Sequence, residues 1–345
     1  MRRPLVILSV IVLIAAAGSF TQLNKDHSAA GLSADICRDH QNAYGCYTTY
    51  INEIAVNESI ERSFEELKRV ALEDPRIENN FCHQIVHEIG RAAAYRYKDF
   101  SVAVAHADNY CSSGYYHGVV EGLVSAMGRE LFIKQINAIC ANVSDKDRRG
   151  FNYFTCIHGI GHGVTALSYY NLPKALSLCD ALADTWERQN CYNGAFMENL
   201  IADRTEHPQI SVRDDDPYYP CNSIEKKYAN ECYNRQPYRF LQETNFDFKE
   251  TFAMCSALEE HYQHSCFEGI GREAHGVKYN DIENVKKLCG GGATTEQVRV
   301  CTTEAVEYFI DFRRSKEDGL AFCNALDLDL QASCKERADV YFLAF

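Results

Sequence analysis

Apolar residues along this chain recur three and four apart, the spacing of one helical face, and strict alternation or β-branched runs are scarce. The pattern predicts an all-α protein. Apolar, helix-like runs end on a cysteine at Leu176-Ser177-Leu178-Cys179, Phe252-Ala253-Met254-Cys255 and Val285-Lys286-Lys287-Leu288-Cys289. New runs open on a cysteine at Cys191-Tyr192-Asn193-Gly194, Cys266-Phe267-Glu268-Gly269 and Cys301-Thr302-Thr303-Glu304. This is the order of a helical hairpin: helix A, a loop of ~10 residues, helix B, with a disulfide from the end of A to the start of B.

Cysteine spacing carries the pattern through the chain. Cys37 precedes Cys46 and Cys140 precedes Cys156; Cys179 pairs with Cys191, Cys221 with Cys232, Cys255 with Cys266, Cys289 with Cys301 and Cys323 with Cys334. Cys82 and Cys111 are left over, both at the opening of a B helix, and are expected to join two neighbouring B helices. Helix A of that unit, near 100–107, must be short. Cys255, Cys289 and Cys323 recur every 34 residues, a period that suits two-helix repeats stacked as an α-solenoid, with a closed α/α toroid as the alternative. The expected boundaries are a signal segment over 1–19, helical repeats over 30–205, a Pro- and Asp-rich loop over 206–220 and further repeats over 221–345.

The rhythm resembles that of cysteine-rich tetratricopeptide-like repeat proteins, in which a two-helix repeat of similar length carries one cysteine late in A and one early in B. Lys174-Ala175-Leu176 before Cys179, and Cys191-Tyr192-Asn193-Gly194, carry the likeness. The resemblance implies a binding scaffold and no catalytic residues.

Composition narrows the setting. Arg2 and Arg3 precede an apolar run from Leu5 to Ala17, which reads as an export signal cleaved near Ala17–Ser19. The alternative is an uncleaved N-terminal anchor, the one membrane contact expected. Sixteen cysteines and no C-x-x-C agree with a secreted or extracytoplasmic protein and argue against thiol redox and ribbon-type zinc. A net charge of −13 offers no basic face, so nucleic acid is excluded as a partner.

Chemistry concentrates in three successive units. Cys156-Ile157-His158-Gly159-Ile160-Gly161-His162-Gly163 sets two histidines one helical turn apart. Counting six residues on from Cys82, Cys111 and Cys156 gives Glu88, His117 and His162, expected side by side in a stack. His87, His158 and Glu121 lie within a turn of these. A histidine taken singly reads as a hydrogen-bonded core residue; this many ligand types on one surface read as a metal site. His87, His117, His158 and His162 are the expected ligands; for catalysis His117, His158 and His162 would hold the ion, with Glu88 or Glu121 as fourth ligand or general base. Imidazole and carboxylate suit Zn²⁺ first, with Fe, Mn or Cu as alternatives. His83 is expected to face away. Glu268 and Glu273 read as a surface salt-bridge network.

H-E-x-x-H, G-x-S-x-G, P-loop and dinucleotide motifs are all absent. Two functions follow: a metal-dependent hydrolase or metal-binding protein acting on an unknown substrate, or a protein- or peptide-binding scaffold using a face rich in its 21 tyrosines and 18 phenylalanines.

Overall fold

The computed structural model describes residues 33–77, 81–108, 110–111, 114–201, 210–313 and 315–343. The export segment over 1–19 and part of the 206–220 loop lie outside the described residues. The first nine helices are α1 (Ala34–Asp39), α2 (Ala43–Asn57), α3 (Ile60–Glu73), α4 (Cys82–Tyr97), α5 (Phe100–Val104), α6 (Gly114–Met127), α7 (Arg129–Lys134), α8 (Phe151–Leu167) and α9 (Leu172–Cys179). The rest are α10 (Thr185–Ile201), α11 (Lys226–Arg235), α12 (Pro237–Glu243), α13 (Phe248–Ser256), α14 (Glu260–Val277), α15 (Ile282–Cys289), α16 (Thr295–Arg313), α17 (Lys316–Ala325) and α18 (Leu328–Leu343). Among the described residues there is no strand, only an isolated bridge between Arg213 and Asp216. No helix among them is long and apolar enough to cross a membrane.

Local chemistry starts the A helices. Asn171, Asp247 and Asp281 cap α9, α13 and α15, each side-chain oxygen accepting a backbone N–H three residues on at 2.9–3.1 Å. Such caps satisfy donors that the first turn leaves open and contribute about 1 kcal/mol each.

All sixteen cysteines sit in eight pairs at disulfide distance, with Cα–Cα separations from 5.2 to 6.0 Å. The partners are those read from spacing, including Cys82 with Cys111. Such pairs belong to an oxidising, extracytoplasmic setting. The hairpin loops are shorter than expected. Helix α9 ends at Cys179 and α10 starts at Thr185; α15 ends at Cys289 and α16 starts at Thr295. The polar stretch before the second cysteine forms the cap and first turn of B. Asp184 Oδ1, for instance, accepts from the N–H of Trp186 at 2.8 Å and of Glu187 at 3.3 Å.

The long B helices lie against one another in chain order: α4 packs on α6, α6 on α8, α8 on α10, α10 on α11, α11 on α14, α14 on α16 and α16 on α18. Each short A helix packs on its own B partner, as α9 does on α10 and α15 on α16. Buried apolar side chains form one cluster from Ala34 to Tyr233 and another from Phe240 to Ala338. Flanked on both sides, a B helix has little exposed surface. Every residue of α8 from Thr155 to Thr165 is buried, so its polar side chains must find partners inside the protein.

Glycines set how close the B helices come, and two of them meet the histidine cluster. A Cβ on Gly118 of α6 would lie 2.0 Å from the His87 carbonyl oxygen of α4. A Cβ on Gly194 of α10 would lie 2.0 Å from the His158 carbonyl oxygen of α8. No side chain fits at either position, and both contacts fall at a histidine of the cluster described next.

Candidate metal centre

Three adjacent B helices bring five histidines together. Helix α4 supplies His83 and His87, α6 supplies His117, and α8 supplies His158 and His162. His117 stands between the two pairs, its ring centroid 5.5 Å from His87 and 4.4 Å from His162. Ligand nitrogens of His83, His87 and His117 lie within 4.8 Å of one another, and so do those of His117, His158 and His162. His117, His158 and His162 are 1–3% exposed.

Within each pair the geometry repeats. His83 Nε2 and His87 Nε2 are 3.2 Å apart, as are His158 Nε2 and His162 Nε2. Two nitrogens bound to one tetrahedral zinc at about 2.0–2.1 Å would be separated by ~3.3 Å. A His–His hydrogen bond has a similar length, so the other ring nitrogens decide. His87 Nδ1 donates to Glu121 Oε1 at 3.0 Å, and His83 Nδ1 faces the Cys111 carbonyl oxygen at 3.4 Å. A carboxylate and a carbonyl only accept, so both Nδ1 atoms carry the proton and both Nε2 atoms carry a lone pair. Two lone pairs facing each other repel unless a cation lies between them.

Glu121 is held as an anion. Burial acts to raise its carboxyl, but the hydrogen bond from His87 and the nearby Arg91 charge outweigh that and bring it down to about 2. Burial first, and the neighbouring His87 imidazole second, push His83 down to about 3. Burial first, and neighbouring imidazoles second, hold His117 well below the usual histidine range. Burial and the charge of Arg235 do the same for His158. His83, His117 and His158 are therefore neutral near pH 7, the form that ligates metal.

The second pair has its own carboxylate. Glu198, on α10, accepts from His162 Nδ1 at 2.7 Å. In both pairs the carboxylate comes from the next B helix in the stack. A carboxylate fixing the outer nitrogen of a histidine, and so directing the inner one, is a common support for ligating imidazoles. His117 Nδ1 and His158 Nδ1 are buried without a hydrogen-bond partner.

Of the residues expected from sequence, His87, His117, His158 and His162 come together. Glu121 meets the cluster through His87 Nδ1, its second oxygen taken by Arg91. Glu88 is engaged by Arg91 on its own helix, Nε to Oε2 at 3.0 Å. His83, expected to face away, belongs to the cluster; its spacing of four from His87, the same as between His158 and His162, was the available signal. Glu198 had no such signal, because its partner is 36 residues earlier in the chain.

A cavity of about 470 Å³ adjoins the cluster, lined by His83, His117 and His158 together with Arg235, Arg272 and Glu231. Glu268 and Glu273 line it too, which corrects their reading as surface residues. They sit on α14 against α11 and α16, and Arg272 Nε pairs with Glu273 at 2.9 Å. Arg235 Nε donates to Asn193 Oδ1 at 2.7 Å. Burial, together with the charge of Arg272, lowers Arg235 to about 10. Burial raises Glu231 to about 7, against a hydrogen bond from Asn193. The chain matches no family model, no curated protein and no solved structure.

Proposed function

We propose that this is an exported, disulfide-stapled α-solenoid that holds a divalent transition-metal ion on His83, His87 and His117 and uses it in hydrolysis. The facing Nε2 lone pairs of His83 and His87 carry the reading, because a cation between them removes their repulsion. An all-nitrogen donor set with every cysteine in a disulfide suits Zn²⁺ first, then Cu, Fe or Mn. An ion there would supply Lewis-acid activation of water.

The chain's own residues would do the rest. Glu121 orients His87 and offsets positive charge. The cavity has the volume of a small-molecule site, typically ~300–1,000 Å³. Within it, Glu231 titrates near neutral pH, as a general base requires. Arg235 and Arg272 line the same cavity and would receive an anionic or carbonyl oxygen of the substrate.

Elemental analysis of purified protein tests this directly. Stoichiometric zinc or another transition metal, lost in a His83→Ala, His117→Ala double variant, supports it. A fluorogenic hydrolase panel with and without chelator then identifies the reaction. No bound metal, with wild-type stability in the variant, would leave a protein- or peptide-binding scaffold as the reading.

A further inference from the structure

The five histidine nitrogens do not converge as one set. They fall into two triplets that share His117. In the second triplet, His158 and His162 repeat the 3.2 Å Nε2 separation of the first pair and have a carboxylate of their own in Glu198. This triplet is also the deeper one, with all three rings 1–3% exposed. Two of its ring nitrogens, His117 Nδ1 and His158 Nδ1, are buried with no partner, an arrangement a core of satisfied histidines would avoid. Glu121 and Glu198 stand on separate helices, one per pair, so each pair has a negative charge to offset a cation.

We propose that His117, His158 and His162 hold a second divalent transition-metal ion, making the cluster a two-ion centre in which His117 bridges as an imidazolate, its ring proton released to solvent on metal binding and one nitrogen on each ion. The proposal rests on the reading of His83, His87 and His117 as a metal site. A single ion placed at one pair would leave the other pair and its carboxylate without a function. Two ions use every histidine and both carboxylates. The chemistry gained is a second Lewis acid beside the first.

Metal-free full-length protein titrated with Zn²⁺, desalted and assayed for bound metal, should retain two equivalents. The His83→Ala, His87→Ala and the His158→Ala, His162→Ala double variants should each retain one. A wild-type plateau at one equivalent overturns the second ion while leaving the first intact. No retained zinc overturns both. Cu²⁺ titration of the wild type needs no variant to fold. Its electron paramagnetic resonance spectrum should be that of an isolated ion at one equivalent and become dipolar-broadened at two. Two equivalents without coupling would place the second ion elsewhere and overturn the proposal.

Discussion

Glu121 on α6 reaches across to α4 and accepts a hydrogen bond from His87 Nδ1 at 3.0 Å. The contact fixes which nitrogen of His87 keeps its proton and therefore which one is open to a metal. Glutamine in its place keeps the shape but removes the charge. Glu121→Gln should weaken metal binding by roughly 10–100-fold with the helical content unchanged. Competitive titration against a chromophoric chelator measures this; affinity equal to wild type would mean that the carboxylate does not support a ligand.

Helix contact distance gives a sign test. Glycine to alanine in a helix normally adds up to about 1 kcal/mol of stability. At Gly276 of α14 nothing lies within 4 Å of an added Cβ, so Gly276→Ala should stabilise. At Gly118 the added carbon would meet the His87 carbonyl at 2.0 Å. Overpacking there should outweigh propensity and destabilise by ~1–3 kcal/mol or more. Urea unfolding of the two variants should move in opposite directions, and Gly118→Ala should also lose metal.

His275 on α14 adds a pH dependence separate from the metal centre. Burial lowers it to about 4, against a hydrogen bond with Asn280 that acts to raise it. The unfolded chain binds a proton at this residue below about pH 6.5, and the native state resists it until about pH 4. Stability should therefore fall as pH drops through that window and level off below it, by ~3 kcal/mol at most. Unfolding curves near neutral pH and near ~4.5 should show a smaller difference for His275→Gln than for wild type. An equal difference would mean that the native ring is protonated freely.

The pair Cys179 and Cys191 closes a loop of 12 residues between α9 and α10. Chain-entropy arguments assign such a closure about 2–4 kcal/mol. Replacing both with serine should lower the unfolding free energy by that amount, and dithiothreitol should bring the wild type down to the variant or below it. Equal stability of oxidised wild type and variant would show that the hairpin packs without the bond.

Much of the architecture was legible because its signals are local. The cysteine rhythm and helical spacing identified the hairpins and all eight pairings, including Cys82 with Cys111. Loop lengths were overestimated because Asp184 and its neighbours are polar and read as loop, whereas their side chains cap a helix start. The side to which His83 turns is not a local property. Its orientation depends on where α4 rests against α6, which is set by close contacts between the two helices, Gly118 on His87, Gly114 on His83 and Gly90 on Tyr115, and not by the sequence next to His83.

The sequence by itself determined the helices, their order, the disulfide partners and four of the five clustered histidines, since these follow from periodicity and spacing along one chain. Only the tertiary structure decided that Glu121 and Glu198 hold the outer nitrogens of His87 and His162, that the Nε2 atoms of each pair face each other, and that His117 stands between the pairs. Those relationships join separate helices, and a ring's proton position depends on which acceptor lies across the helix contact.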